Sequence, residues 1–159
     1  MTRSYLASDQ SLAVDIEAEA VDAMVELCTR SGRLETGGVL IGRYSRFGDR
    51  VVVTKVTGPP RDSRHFPFSF IRGIAGLTRR LGREWAEGAY YVGEWHFHPF
   101  VAPTPSPLDI NQIMVFAADA ELRCPRPVLL VFGGDPRAVW SLSVAVVMEP
   151  GLVFLAERI

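Results

Sequence analysis

The chain's apolar pattern predicts an α/β protein, a curved mixed β-sheet with about three helices packed against it. Three observations lead there. Apolar residues recur at helical spacing in residues 17–30, 70–87 and 107–120. About seven short apolar runs bounded by glycine and proline read as strands. Strands pair as hairpins both before and after the helix-bearing middle, which a purely parallel sheet does not allow.

In chain order, residues 12–16 alternate apolar and polar and predict a short strand. Residues 17–30 place Ala20, Val21, Met24, Val25 and Cys28 on one helical face, and Ser31-Gly32 ends that helix. Val39, Leu40 and Ile41 form a buried strand. Residues 44–49 turn the chain into a return strand, 51–56, which Thr57-Gly58-Pro59-Pro60 terminates. Residues 61–70 are a polar and aromatic loop containing His65. A helix is expected from about Phe70 to Glu87, with Ile71, Ile74, Leu77, Leu81 and Trp85 inward and Arg72, Arg79, Arg80 and Arg83 outward. Residues 89–97 form the next strand. Helix 107–120 follows, and the apolar run 128–132 fits a central strand covered on both faces. A long strand, 138–148, and a last one, 152–155, are separated by Pro150-Gly151. There is no repeat, low-complexity tract or linker, so residues 1–159 read as one domain.

Composition narrows the function classes. A hydrophobic content of 48% over 159 residues allows a substantial core. A formal net charge of -1 argues against a nucleic-acid partner, which calls for a basic excess. Cys28 and Cys124 lie in apolar surroundings with no short Cys-x-x-Cys spacing, and are expected as buried thiols. Residues 1–12 lack the apolar centre of a signal peptide, and no run is long enough to span a bilayer. A cytoplasmic, reducing location without membrane contact is the expectation.

The chemistry concentrates in Glu94-Trp95-His96-Phe97-His98-Pro99. On a strand, side chains alternate, so His96 and His98 face one way and Phe97 the other. Two imidazoles on one face gain little from each other and make a ready metal pair. After a proline-rich loop, 100–105, Ser106-Pro107-Leu108-Asp109 starts a helix: serine as N-cap, proline at the first helical position, an acid three residues after the cap. That role explains Asp109 without catalysis. A carboxylate in a first helical turn also stays ionised beside the positive end of the dipole, as a metal ligand must. Ser106 could likewise cap the helix or face a metal. Two histidines and one carboxylate would leave zinc an open fourth position, the mark of a catalytic site.

Glu35 precedes Thr36-Gly37-Gly38. It reads either as a surface acid beside a turn or as a general base. The glycines would let its strand pass close to the histidines. Glu94 is a competing acid; it could orient an imidazole, but the simpler reading is a solvated residue at a strand's start. His65 has no partner spacing and reads as a surface or substrate-contact residue. The arginines near it and on the middle helix read as a solvated face.

Taken together, Glu35 ahead of Gly37-Gly38 and a strand, His96-x-His98-Pro99, and Ser106-x-x-Asp109 resemble the JAMM motif of JAB/MPN metalloproteases. The resemblance covers nearly the whole chain. It implies a JAB/MPN fold, a curved mixed sheet related to the cytidine deaminase-like folds. It implies hydrolysis of a peptide or isopeptide bond next to the C-terminus of ubiquitin or a ubiquitin-like protein. Residue by residue, it implies that His96, His98 and Asp109 bind one zinc ion. Glu35 takes the proton of water and passes it to the leaving lysine amine, and Ser106 helps hold the tetrahedral oxyanion.

The segments Glu35-Thr36-Gly37-Gly38-Val39-Leu40-Ile41-Gly42, the Gly58-Pro59-Pro60 loop leading to residues 66–70, and Tyr91-Val92-Gly93-Glu94-Trp95-His96 resemble short bacterial JAB proteins encoded with E1-like and E2-like partners in antiphage operons of the CBASS type. That branch implies reversing conjugation of a signalling nucleotidyltransferase (CD-NTase), or removing a ubiquitin-like modifier. Phe97 stands where the family commonly has serine or threonine; by alternation it points away from the metal and affects packing. Two alternatives remain open, a trimming peptidase for a sulfur-carrier ubiquitin-like protein and a non-catalytic MPN scaffold. Loops 61–70 and 100–105 are expected to flank the cleft and grip a substrate tail.

Overall fold

The computed structural model describes residues 1–159. Its elements are β1 (Arg3–Leu6), β2 (Ala13–Ile16), α1 (Ala18–Ser31), β3 (Thr36–Tyr44), β4 (Arg50–Val56), β5 (Arg64–His65), β6 (Phe70–Ile71), α2 (Leu77–Ala86), β7 (Tyr90–Pro99), α3 (Pro107–Ala118), β8 (Val128–Gly134), β9 (Trp140–Met148) and β10 (Gly151–Glu157). Three helices against a mixed sheet match the expectation. The sheet, however, does not stay open. Eight strands close into a barrel in the order β1-β10-β9-β8-β7-β3-β4-β2.

Closure depends on β1, which the apolar pattern does not reveal because four residues are too short to show a period. β1 pairs with β2 on one side and β10 on the other, both antiparallel, so neither end of the sheet leaves an open edge. Two junctions are parallel, β2 with β4 and β7 with β8. Each needs a crossover, supplied by α1 with β3 and by α3 respectively.

Inward-facing Val14, Ile16, Val53, Trp95, Phe97, Leu130, Phe132 and Val144 form the main core together with Ala20, Met24 and Cys28 of α1. Gly32, with φ 68°, ends α1 in a left-handed conformation that suits glycine. Cys28 and Cys124 are both buried and unpaired. No helix is long and apolar enough to cross a membrane.

A bulge sets the faces of β7. Gly93 pairs with Leu40 and Tyr91 with Ile41, so Val92 is the extra residue. Beyond it, Trp95 and Phe97 enter the core, and Phe97 packs edge-on against Phe132 at 5.7 Å. Glu94, His96 and His98 take the other face.

The middle helix is shorter than expected. α2 begins at Leu77, not near Phe70. Phe70 and Ile71 instead form a two-stranded arm with β5. The Asp62 carboxylate accepts from the amides of Ile74 and Ala75, and Gly76 is left-handed at φ 75°, so no helix can run through. Of the expected apolar face, Leu77 is buried while Ile71, Ile74 and Trp85 are exposed. Arg72 is not on an outer face at all; its side chain is 4% exposed.

Candidate active site

Strand β7 brings His96 and His98 to its C-terminal end on one face. β3 runs antiparallel beside it, with Gly37 opposite His96 and Thr36 opposite Phe97, so Glu35 arrives level with His98. Gly37 makes this approach possible. A Cβ there would stand 2.3 Å from the Trp95 carbonyl oxygen and 2.9 Å from Phe70 Cε1, too close for any side chain.

Beyond Pro99 the chain turns at Phe100, whose amide donates to Gly134 O, and runs back over the end of β8. α3 then opens with a complete capping box. Ser106 Oγ accepts from the Asp109 amide at 3.1 Å, and Asp109 Oδ2 accepts from the Ser106 amide at 2.7 Å. This fixes Asp109 in one orientation, and its Oδ1 accepts from His96 Nδ1 at 2.6 Å. His98 Nε2 lies 3.1 Å from Asp109 Oδ2 and 3.9 Å from Glu35 Oε1. At these angles it makes no hydrogen bond, and it is buried without a partner. Four of the five side chains predicted from sequence therefore meet and are buried, Glu35, His96, His98 and Asp109, and the fifth, the partly exposed Ser106, joins them through the capping box.

Their environments push the two carboxyl groups apart. Burial alone would raise Asp109, but hydrogen bonding to His96 and the nearness of His98 outweigh it and hold its carboxyl well below the usual range. Burial raises Glu35, with the Asp109 charge adding to it against the pull of His98. His98 is raised, because the Asp109 carboxylate outweighs the burial that would lower it. One acid stays ionised while the other takes up a proton more readily, the division that acid–base chemistry requires.

Glu94 corrects the sequence reading. It is 1% exposed, not solvated. Its carboxylate accepts from Arg72 Nε at 2.7 Å and Nη2 at 3.0 Å and from the Tyr91 hydroxyl at 2.8 Å. Those bonds go to Arg72 and Tyr91 and not to an imidazole. His65 is half-buried rather than on the open surface; its Nδ1–H donates to Glu35 O at 3.0 Å. Phe70, to which the sequence reading gave no role in the site, sets its ring edge against His96 at 5.5 Å and 88°. Of the two expected gripping loops, 61–70 adjoins Glu35 and His96 directly. Loop 100–105 lies over β8, with Arg33 stacked 5.4 Å above the Phe100 ring. A pocket of about 560 Å³ lined by Tyr44, Leu81, Trp85, Tyr90 and Leu122 contains none of the site residues.

In this conformation His96 and Asp109 are hydrogen-bonded to each other, and no three of the four converge as a metal-holding group. Their chemistry nevertheless fits a metal. Two imidazoles with an ionised carboxylate are a zinc donor set. The buried, unpartnered His98 Nε2 is the lone pair that a cation would satisfy.

An α/β barrel that gathers two histidines, a helix-capping aspartate and a neighbouring glutamate at one end of β3, β7 and α3 defines the class, a site of hydrolase type. Residues 17–143 match the family model described as prokaryotic homologs of the JAB domain. The chain is 40% identical over 131 residues to a CD-NTase/cGAS isopeptidase of Enterobacter hormaechei subsp. hoffmannii, spanning 82% of this chain and 73% of that one. It is 28% identical over 125 residues to a probable metalloprotease of Sinorhizobium fredii, 76% of each. The fold is shared with a protein of Desulfitobacterium hafniense whose solution structure superposes at TM-score 0.66, with 18% identity over 87% of each chain. The chain belongs to the prokaryotic JAB-domain family.

Proposed function

We propose that this protein is a zinc-dependent isopeptidase that frees a target protein, a CD-NTase-like nucleotidyltransferase, from a conjugate built by E1-like and E2-like enzymes in a cytoplasmic, CBASS-type antiphage system. The observation that carries this reading is the meeting of Glu35, His96, His98 and Asp109 at the ends of β3, β7 and α3, with the two acids held in opposite protonation tendencies. The name of the Enterobacter relative supports the substrate class.

His96, His98 and Asp109 would hold the ion. Zinc there supplies Lewis acidity toward the scissile carbonyl and makes water more acidic. Glu35 accepts a proton from the attacking water, whose oxygen bonds to the carbonyl carbon. As the C–N bond breaks, Glu35 returns that proton to the lysine ε-amine, leaving a free amine on one product and, on the other, a carboxylic acid that gives up the water's second proton to solvent. Asp109 stays ionised throughout, because His96 and the cap amide hold its two oxygens. Ser106 Oγ uses one lone pair to cap α3 and keeps its hydrogen free to donate to the developing oxyanion.

The test is zinc-loaded protein incubated with a lysine-linked CD-NTase conjugate. Wild type is expected to release the target with its lysine free. Glu35→Ala is expected to keep its zinc by metal analysis and lose about 10³-fold in rate. Full cleavage by Glu35→Ala, or none by loaded wild type, would overturn the reading. Cleavage confined to a linear C-terminal extension would favour the trimming peptidase instead.

A further inference from the structure

Glu35 lies one residue outside the barrel ladder, whose last β3–β7 pair is Thr36 with Phe97. Its backbone is held by the arm instead. The Glu35 amide donates to Phe66 O at 2.9 Å, and its carbonyl accepts from His65 Nδ1 at 3.0 Å. Since a carbonyl can only accept, Nδ1 must carry the proton, which fixes the His65 tautomer. The other strand of the same arm places the buried Phe70 ring 5.2 Å from His65 and 5.5 Å from His96. One small hairpin thus touches both the glutamate and a ring of the histidine pair.

The arm is itself fastened down. Arg72, just past β6, forks onto Glu94 of β7 and stacks 4.7 Å from the Phe116 ring of α3. Ser63 Oγ accepts from the Gly73 amide, and Asp62 holds the next two amides. This anchoring gives His65 a fixed place from which to hold Glu35.

We propose that His65 is a positioning residue, whose Nδ1–H fixes the Glu35 peptide and so aims the Glu35 carboxylate at His98. What Glu35 does once aimed rests on the function proposed above; the clamp itself does not. A residue beyond the end of a ladder has backbone freedom, and displacements near 1 Å at a proton-transferring group cost rate steeply.

Two substitutions test it. His65→Ala removes the donor. His65→Asn offers an amide N–H from a side chain of similar reach. His65→Ala is expected to lower kcat about tenfold with KM within about twofold of wild type, and His65→Asn to recover most of that loss. Zinc stoichiometry is expected unchanged in both. Hydrogen exchange at the Glu35 amide needs no activity; it is expected to quicken about tenfold in His65→Ala and return toward wild type in His65→Asn. Unchanged exchange in His65→Ala, or an asparagine variant as impaired as the alanine one, would overturn the clamp. If loaded wild type cleaves nothing, the role of Glu35 falls, and the exchange result alone decides whether His65 holds it.

Discussion

Two clusters of buried charge share one face of β7, and they are built differently. Around Glu94 every partner is supplied. Arg72 donates to both carboxylate oxygens, Tyr91 adds a third bond, and the remaining guanidinium nitrogen reaches Gly73 O at 2.8 Å. Two residues on, around His96 and His98, the set is incomplete. His98 Nε2 makes no hydrogen bond even to Asp109 Oδ2, 3.1 Å away, and the nearest Glu35 oxygen stands 3.9 Å from it, beyond hydrogen-bonding distance. A buried cluster with all bonds made holds shape; one with groups left over has capacity for a ligand or a proton.

Stability should separate them. Arg72→Ala leaves the Glu94 carboxylate buried and uncompensated, and is expected to lose about 3–5 kcal/mol in urea unfolding. Replacing both partners by apolar residues, Arg72→Met with Glu94→Leu, is expected to recover most of that. Glu35→Ala is expected within about 0.5 kcal/mol of wild type, or more stable, because site residues are kept for function against their own burial cost. If Arg72→Ala costs no more than Glu35→Ala, the distinction between the clusters is lost.

The same contrast explains what the sequence could disclose. The open cluster is written in local rules. Alternation places His96 and His98 together, and the serine–proline–acid spacing places Asp109 in a first helical turn. The closed cluster joins residues 22 apart, and nothing local links them. Arg72 also sits inside an apolar rhythm, Ile71, Ile74, Leu77, Leu81 and Trp85, that reads as one helix. Only its later part is helical, because Asp62 and Gly76 end the irregular segment there. Barrel closure was hidden for a related reason. It is made by pairing the two ends of the chain, Tyr5 with Glu157, which no periodicity encodes.

A pH series on metal-free protein sharpens the contrast, taking each variant as a difference from wild type. The folded Asp109 value is depressed, so its contribution is present above the unfolded value of about 3.9 and is lost as pH falls below that. The folded His98 value is raised, so its contribution is complete below about 6.5 and fades as pH rises through the folded value. Wild type minus Asp109→Asn is therefore expected to shrink on the acid side, and wild type minus His98→Gln on the alkaline side. Glu35→Gln should slope the other way from Asp109→Asn, since the folded Glu35 value is raised and its contribution is lost with rising pH. Thermal unfolding between pH 3 and 9 reads all three; parallel curves for Asp109→Asn and Glu35→Gln would mean the two acids are not set apart.

A modest stability effect separates the two duties of Ser106. As N-cap its hydroxyl oxygen accepts from the Asp109 amide, and alanine there is expected to cost about 1 kcal/mol, glycine only a few tenths. Both variants remove the hydroxyl hydrogen that the proposed mechanism assigns to the oxyanion. If that donation matters, Ser106→Gly and Ser106→Ala lose the same factor in kcat, about 10² or more, although their unfolding curves differ. If Ser106 serves only the helix, kcat tracks stability and the glycine variant stays close to wild type. Glycine is the more telling substitution, because it keeps the start of α3 nearly intact while taking away the one polar hydrogen that the cap itself does not use.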